Sequence, residues 1–160
     1  MSVQNPPLDT YVRDLLHSKP EMLDSGDVLT VIPSTTVFDC IERMADHNVG
    51  SIMVMDGEEI VGIFTERDYM KSIALKGHSS KTTDVEEVMT TDVVTVQPDK
   101  PLEECLEVMT RFRFRHLPVV DENESLIGLV SIGDCVKQVV NTAHRKTKQF
   151  RQYVTGSYSV

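Results

Sequence analysis

Gly62-Ile63-Phe64-Thr65-Glu66-Arg67-Asp68 and Gly128-Leu129-Val130-Ser131-Ile132-Gly133-Asp134 write one pattern twice. It runs Gly, two apolar residues, a hydroxyl, two free positions, then Asp. Alternating apolar residues before the hydroxyl read as a strand, and the hydroxyl–acid pair reads as a helix start. An ordinary capping box uses a similar Ser/Thr with an acid three residues on. Capping alone does not require the Gly, nor the same four positions in both copies. A helix start also offers N–H groups and positive dipole to a phosphate. Gly lets another group approach the backbone closely. The Asp would repel phosphate and suits sugar hydroxyls instead. Phosphate, ribose and an apolar wall together describe a nucleotide.

Working outward, the duplication covers most of the chain. Thr30-Val31-Ile32-Pro33 matches Thr95-Val96-Gln97-Pro98 at an offset of 65, which also carries Cys40 onto Cys105, Met44 onto Met109 and Val54 onto Val119. One residue inserted near Glu122 to Ser125 makes the offset 66 for Gly62/Gly128, Thr65/Ser131 and Asp68/Asp134. Each copy predicts β-α-β-β-α. An extended segment (Val28 to Pro33; Val93 to Pro98) precedes an amphipathic helix, with Val37, Ile41, Met44 and Ala45 or Leu102, Cys105, Leu106 and Met109 expected inward. Two strands follow, Ser51 to Met55 with Ile60 to Thr65 joined by Asp56-Gly57, and Leu117 to Val120 with Leu126 to Ser131. A second helix starts near Glu66 and near Ile132. Leu8 to Ser18 predicts a short leading helix outside the repeat, and His78 to Thr83 a polar linker before Val85, Val88 and Met89. The last helix is expected to run towards Tyr153 and stop at Gly156. One such unit is marginal alone, so two are expected back to back over a shared core. The boundaries are 1–23 for the N-terminal segment, 24–77 and 93–142 for the units, 78–92 for the linker and 143–160 for the C-terminal helix extension.

The two motifs resemble those of the CBS-domain family, named for cystathionine β-synthase, whose paired domains form a Bateman module. The resemblance covers about residues 24 to 142. It includes His47-Asn48-Val49-Gly50 and Arg115-His116-Leu117-Pro118-Val119-Val120, and is closest to stand-alone single-pair proteins of bacteria and plant organelles. It implies an α/β (α+β) fold of tandem β-α-β-β-α repeats packed about a pseudo-two-fold axis. The implied activity is regulatory sensing of an adenosine nucleotide (AMP, ADP, ATP or NAD(H)) in the cleft between the units, without catalysis. Asp68 and Asp134 are then expected on ribose, Thr65 and Ser131 on phosphate or ribose, and Arg67, Arg115 and His116 as cations for phosphate. Leu29, Val49, Gly50 and Ile52 are expected around one base, and Val94, Phe114 and Leu117 around the other. The resemblance also implies a homodimer that acts on a separate, unidentified protein.

Composition agrees with such a protein. The chain has 160 residues, 40% apolar, with a net charge of −9, enough to bury ~70% of its unfolded surface. The acidic balance opposes nucleic acid and anionic lipid, although Arg111-Phe112-Arg113-Phe114-Arg115-His116 interleaves cations with aromatics in the manner of single-strand binders. No apolar run is long enough to cross a membrane, and Met1 to Leu8 lacks the regions of a secretory signal. The expected location is cytoplasmic, or organellar if a targeting segment was removed. Cys40, Cys105 and Cys135 have no CxxC spacing and read as reduced, buried thiols. The five histidines and the cysteines form no metal pattern. The basic residues of the last helix read as a solvated or dimer-facing side. The rival readings are a protein-interaction module with empty clefts and, further off, a nucleic-acid-binding protein.

Overall fold

The computed structural model describes residues 9–18 and 28–155; the expected stop at Gly156 lies outside them. Helix α1 spans Val12–Ser18. The first unit contains β1 (Thr30–Val31), α2 (Val37–Asp46), β2 (Ser51–Asp56), β3 (Glu59–Thr65) and α3 (Glu66–Tyr69), which continues as a π-helical turn over Met70–Ala74. The second contains α4 (Leu102–Phe112), β4 (His116–Val120), β5 (Leu126–Ser131) and α5 (Ile132–Val154). The first sheet is ordered β1-β2-β3, with β1 parallel and β3 antiparallel to β2.

The repeat reaches into fine geometry. Each hairpin slips register at the same place, after Val54 and after Val119. Helices α2 and α4 are each followed by a left-handed residue, Asn48 at φ 55° and Arg113 at φ 58°. In two places the chain departs from expectation. Val93 to Pro98 does not form a strand: only Val96 bridges Val119, in parallel, so the second sheet has two strands. A two-residue edge strand needs little perturbation to shrink to a bridge.

The shared core is the second correction. Most buried residues form two separate clusters, one around Phe64, Ile52 and Val37, the other around Leu117, Val119 and Leu102, while Met53, Ile63 and Val120 are buried outside both. What joins the units is an exchange of leading segments. Val12, Leu15 and Leu16 of α1 are buried in the second unit's cluster, whereas Val85 is buried in the first unit's. The two segments match at an offset of 73. Val12 N–H donates to Lys100 O as Val85 N–H donates to Thr35 O (2.9 and 2.8 Å), and Arg13 N–H donates to Pro98 O as Glu86 N–H donates to Pro33 O (2.9 and 3.2 Å). In return, the first N–H of α4 donates to Thr10 O and that of α2 to Thr83 O, both at 2.9 Å. The N-terminal segment and the linker thus satisfy donors that a helix start leaves open. Each unit's cluster is completed by a segment lying before it or after it in the chain.

Candidate functional site

Both motif copies form the predicted strand-to-helix corner. Thr65 and Ser131 are the extended residues before α3 and α5, and each closes a capping box with its Asp. Asp68 N–H donates to Thr65 Oγ1 at 3.3 Å, while Asp68 Oδ2 accepts from Thr65 N–H at 3.0 Å and from its hydroxyl at 3.1 Å. In the second unit, Asp134 N–H donates to Ser131 Oγ at 3.1 Å and Asp134 Oδ2 accepts from Ser131 N–H at 3.3 Å. The first helical N–H groups are also taken, Glu66 by Gly50 O at 3.1 Å and Ile132 by Arg115 O at 2.8 Å. The first and third helical N–H groups of each start are therefore spent on the protein, and an anion would depend largely on side chains.

The glycines have a packing explanation. A Cβ on Gly128 would lie 2.7 Å from Leu16 Cδ2, and one on Gly62 would fall on Met89 Sδ. The group that approaches each glycine is thus an apolar side chain of the exchanged leading segment, not a ligand.

Arg67 and Arg115 are exposed, while His116 is half-buried. Burial holds the His116 pKa below its usual 6.5; Asp134 and Glu66 push it back up, and Arg115 lowers it. The imidazole is thus predominantly neutral at pH 7 and a poor phosphate cation. Glu66 belongs to the first unit and His116 to the second, so the two motif regions face one field across the units. Glu66 was legible only as a helix start, yet its carboxylate lies over Gly50, 3.6 Å from where a Cβ would stand.

The expected base walls divide. Val49 and Val94 are exposed at 39% and 37%, and Leu29 and Phe114 are half-buried. Ile52 and Leu117 are fully buried inside their own units' clusters and present no side-chain surface. Phe114 stacks on Phe112 with centroids 6.1 Å apart, and the Arg111 guanidinium sits 5.5 Å from the Phe112 ring centre. The interleaved cations and aromatics therefore fold upon themselves at a left-handed corner.

Sequence reasoning missed Thr90. Its backbone pairs with Ile63 on the edge of β3, and its hydroxyl donates to Asp68 Oδ1 at 3.1 Å. No repeat or motif marks it; only that edge pairing brings it to the acid. Among the described residues, no group of three or more His, Cys, Asp or Glu is arranged to hold a metal ion, and no helix is long and apolar enough to cross a membrane.

The family model for the CBS domain matches residues 12–75 and 85–141. A mitochondrial CBS domain-containing protein of Arabidopsis thaliana, CBSX3, is 37% identical over 154 residues, covering 93% of this chain and 74% of that protein. A solved putative signal-transduction protein with CBS domains from Burkholderia ambifaria MC40-6 is 45% identical, with a TM-score of 0.78, covering 82% of this chain and 95% of that one. Two further structures contain adenosine ligands. CBSX2 in complex with AMP is 28% identical (TM-score 0.65; 82% and 96% covered). The CBS domain pair of protein MJ0100, with methylthioadenosine and S-adenosyl-L-methionine, is 26% identical (TM-score 0.68; 82% and 97% covered).

Proposed function

The chain belongs to the CBS-domain family, and on that premise we propose that it is a non-catalytic regulatory module that binds an adenosine nucleotide between its two units and acts on a separate protein. The observation that carries the reading is the pair of Thr/Ser–Asp corners at matching positions, joined by the field that Glu66 of the first unit exerts on His116 of the second. Asp68 and Asp134 carry the acceptor-only carboxylates that suit ribose hydroxyls. Arg67 and Arg115 supply exposed cations that fork onto phosphate. Leu29 and Val49 wall one base, and Val94 and Phe114 the other. The ligand proposed is AMP or a larger adenosine nucleotide (ADP, ATP or NAD(H)), with relatives in complex with AMP and with S-adenosyl-L-methionine in support. Met70, exposed at 59% on the first unit's helical segment, supports a homodimer. The proposed location is cytoplasmic or organellar; the CBSX3 relative is mitochondrial.

A second reading, a protein-interaction module without ligand, draws support from the capping boxes, since both acids already serve the fold. Calorimetry with AMP, ADP, ATP, NAD(H) and S-adenosylmethionine separates the two. Under the nucleotide reading, Asp68→Ala and Asp134→Ala each abolish binding at one site. Both also lose about 1 kcal/mol of cap stability. Unchanged nucleotide binding with only a lower melting temperature hands the corners to capping alone.

A further inference from the structure

Helix α5 continues past Val140, the position matching Ala74 where the first unit's helical segment ends. Its cysteine and Val139 face the second unit's cluster. Along another side run Val136, Val140, Ala143, Thr147, Phe150 and Val154, at alternating spacings of four and three. That is the spacing of a coiled-coil seam, two positions in seven. Val136, Val140, Phe150 and Val154 are exposed at 46%, 45%, 67% and 63%. Thr147 suits an apolar seam, because its hydroxyl donates to Ala143 O at 3.0 Å. Lys137, Lys146 and Arg151 flank the seam, with Arg145 and Lys148 farther round the helix. No Asp or Glu follows Asp134: all 25 acidic residues and only 11 of the 16 basic ones lie at or before it.

We infer that this extension is the docking surface for the regulated protein, which presents an amphipathic helix whose apolar seam is flanked by Asp and Glu. The inference rests on reading the chain as a module that acts through a separate protein. Charge selects the occupant. Pairing α5 with a second α5 in parallel would set Lys146 against the copy's Arg151, a like-charge contact that disfavours self-association. A lipid surface suits a wide face rich in large apolar residues, whereas this seam is narrow and small at Ala143 and Thr147. Those two positions leave room for large knobs from a partner helix. The acidic remainder of the chain also opposes an anionic membrane.

The test uses the full chain and a labelled synthetic helix of about three heptads, Leu at both seam positions and Glu at the flanks. A second peptide carries Lys at the flanks. Fluorescence anisotropy should show binding of the Glu peptide only, weakened roughly tenfold at high salt. Phe150→Ser with Val154→Ser should abolish it, and Lys146→Glu with Arg151→Glu should transfer binding to the Lys peptide. AMP-induced thermal shifts in these variants should match the parent, so loss of docking and loss of nucleotide binding are read separately. The inference is overturned if neither peptide binds or if both bind alike. It is equally overturned if the Phe150/Val154 variant converts a dimer to monomer in native mass spectrometry, or if phosphatidylserine vesicles capture the chain through these residues while the Glu peptide does not bind.

Discussion

The Thr90 hydroxyl donates to Asp68 Oδ1 at 3.1 Å, while Oδ2 is held by the backbone and hydroxyl of Thr65. The carboxylate is thus fixed from both sides, by its own helix corner and by a residue from the linker. Removing one fixing point frees its rotamer. Thr90→Val should weaken nucleotide binding at the Asp68 site about fivefold, the equivalent of about 1 kcal/mol, and leave the Asp134 site unchanged. Calorimetry in an Asp134→Ala background isolates the affected site.

The glycine contacts make a paired prediction. Gly128→Ala puts a methyl group against Leu16 Cδ2 and should cost about 1–3 kcal/mol by overpacking. In a Leu16→Ala background the same methyl enters vacated space, so the change should cost little or restore stability. Denaturant midpoints for the four chains give the coupling; additive effects would exclude the contact as the cause.

Arg113 sits at φ 58° after α4, where its repeat mate is Asn48 at φ 55°. Asn tolerates this left-handed region and a long Cβ-bearing side chain does so at a cost. Arg113→Asn should stabilise the chain by about 0.5 kcal/mol, read as a higher urea midpoint at constant slope.

For His116, burial lowers the folded pKa below 6.5. A base held neutral in the fold takes up its proton more readily once unfolded, so its stability contribution is complete above 6.5 and is lost as pH falls towards the depressed folded value. The melting temperature should fall across that window, and His116→Gln should remove this component of the slope. Phosphate placed beside the ring would raise its pKa, so AMP affinity should rise on acidification in the parent and less so in the variant.

Cys40 and Cys105 are repeat mates at 0% exposure. Burial pushes both thiols up to about 11, against smaller opposing effects of Arg43 and Lys100. Neither should react with an aromatic disulfide reagent at pH 8 in the folded chain, and both should react on unfolding. Rapid native labelling at either would contradict their burial.

Much of the fold was legible because its signals are local. Thr65 and Asp68, or Ser131 and Asp134, cap their helices across three residues. Asp56-Gly57 turns its hairpin within a few more, and the inward faces of α2 and α4 follow from helical spacing. The motif carries the candidate acids for the same reason. Glu66 and Thr90 were not legible: one reads as an ordinary first-turn acid and the other as a linker residue. Ile52 and Leu117, expected near the bases, lie wholly inside their own units' clusters, because strand alternation tells which residues point inward, not whether that interior is also a ligand surface.

The sequence by itself determined the duplication, the order of elements, the two capped corners and the basic final stretch without Asp or Glu after Asp134. Periodicity and capping depend on neighbours a few residues away, which any reading of the chain can see. Only the tertiary structure decided that the leading segments are exchanged, Leu16 closing on Gly128 and Met89 on Gly62, and that two cores stand where one was expected. Those contacts join residues far apart in the chain. They are selected by which helix-start N–H groups still need acceptors and which strand leaves room for a side chain, conditions that exist only once both units have folded.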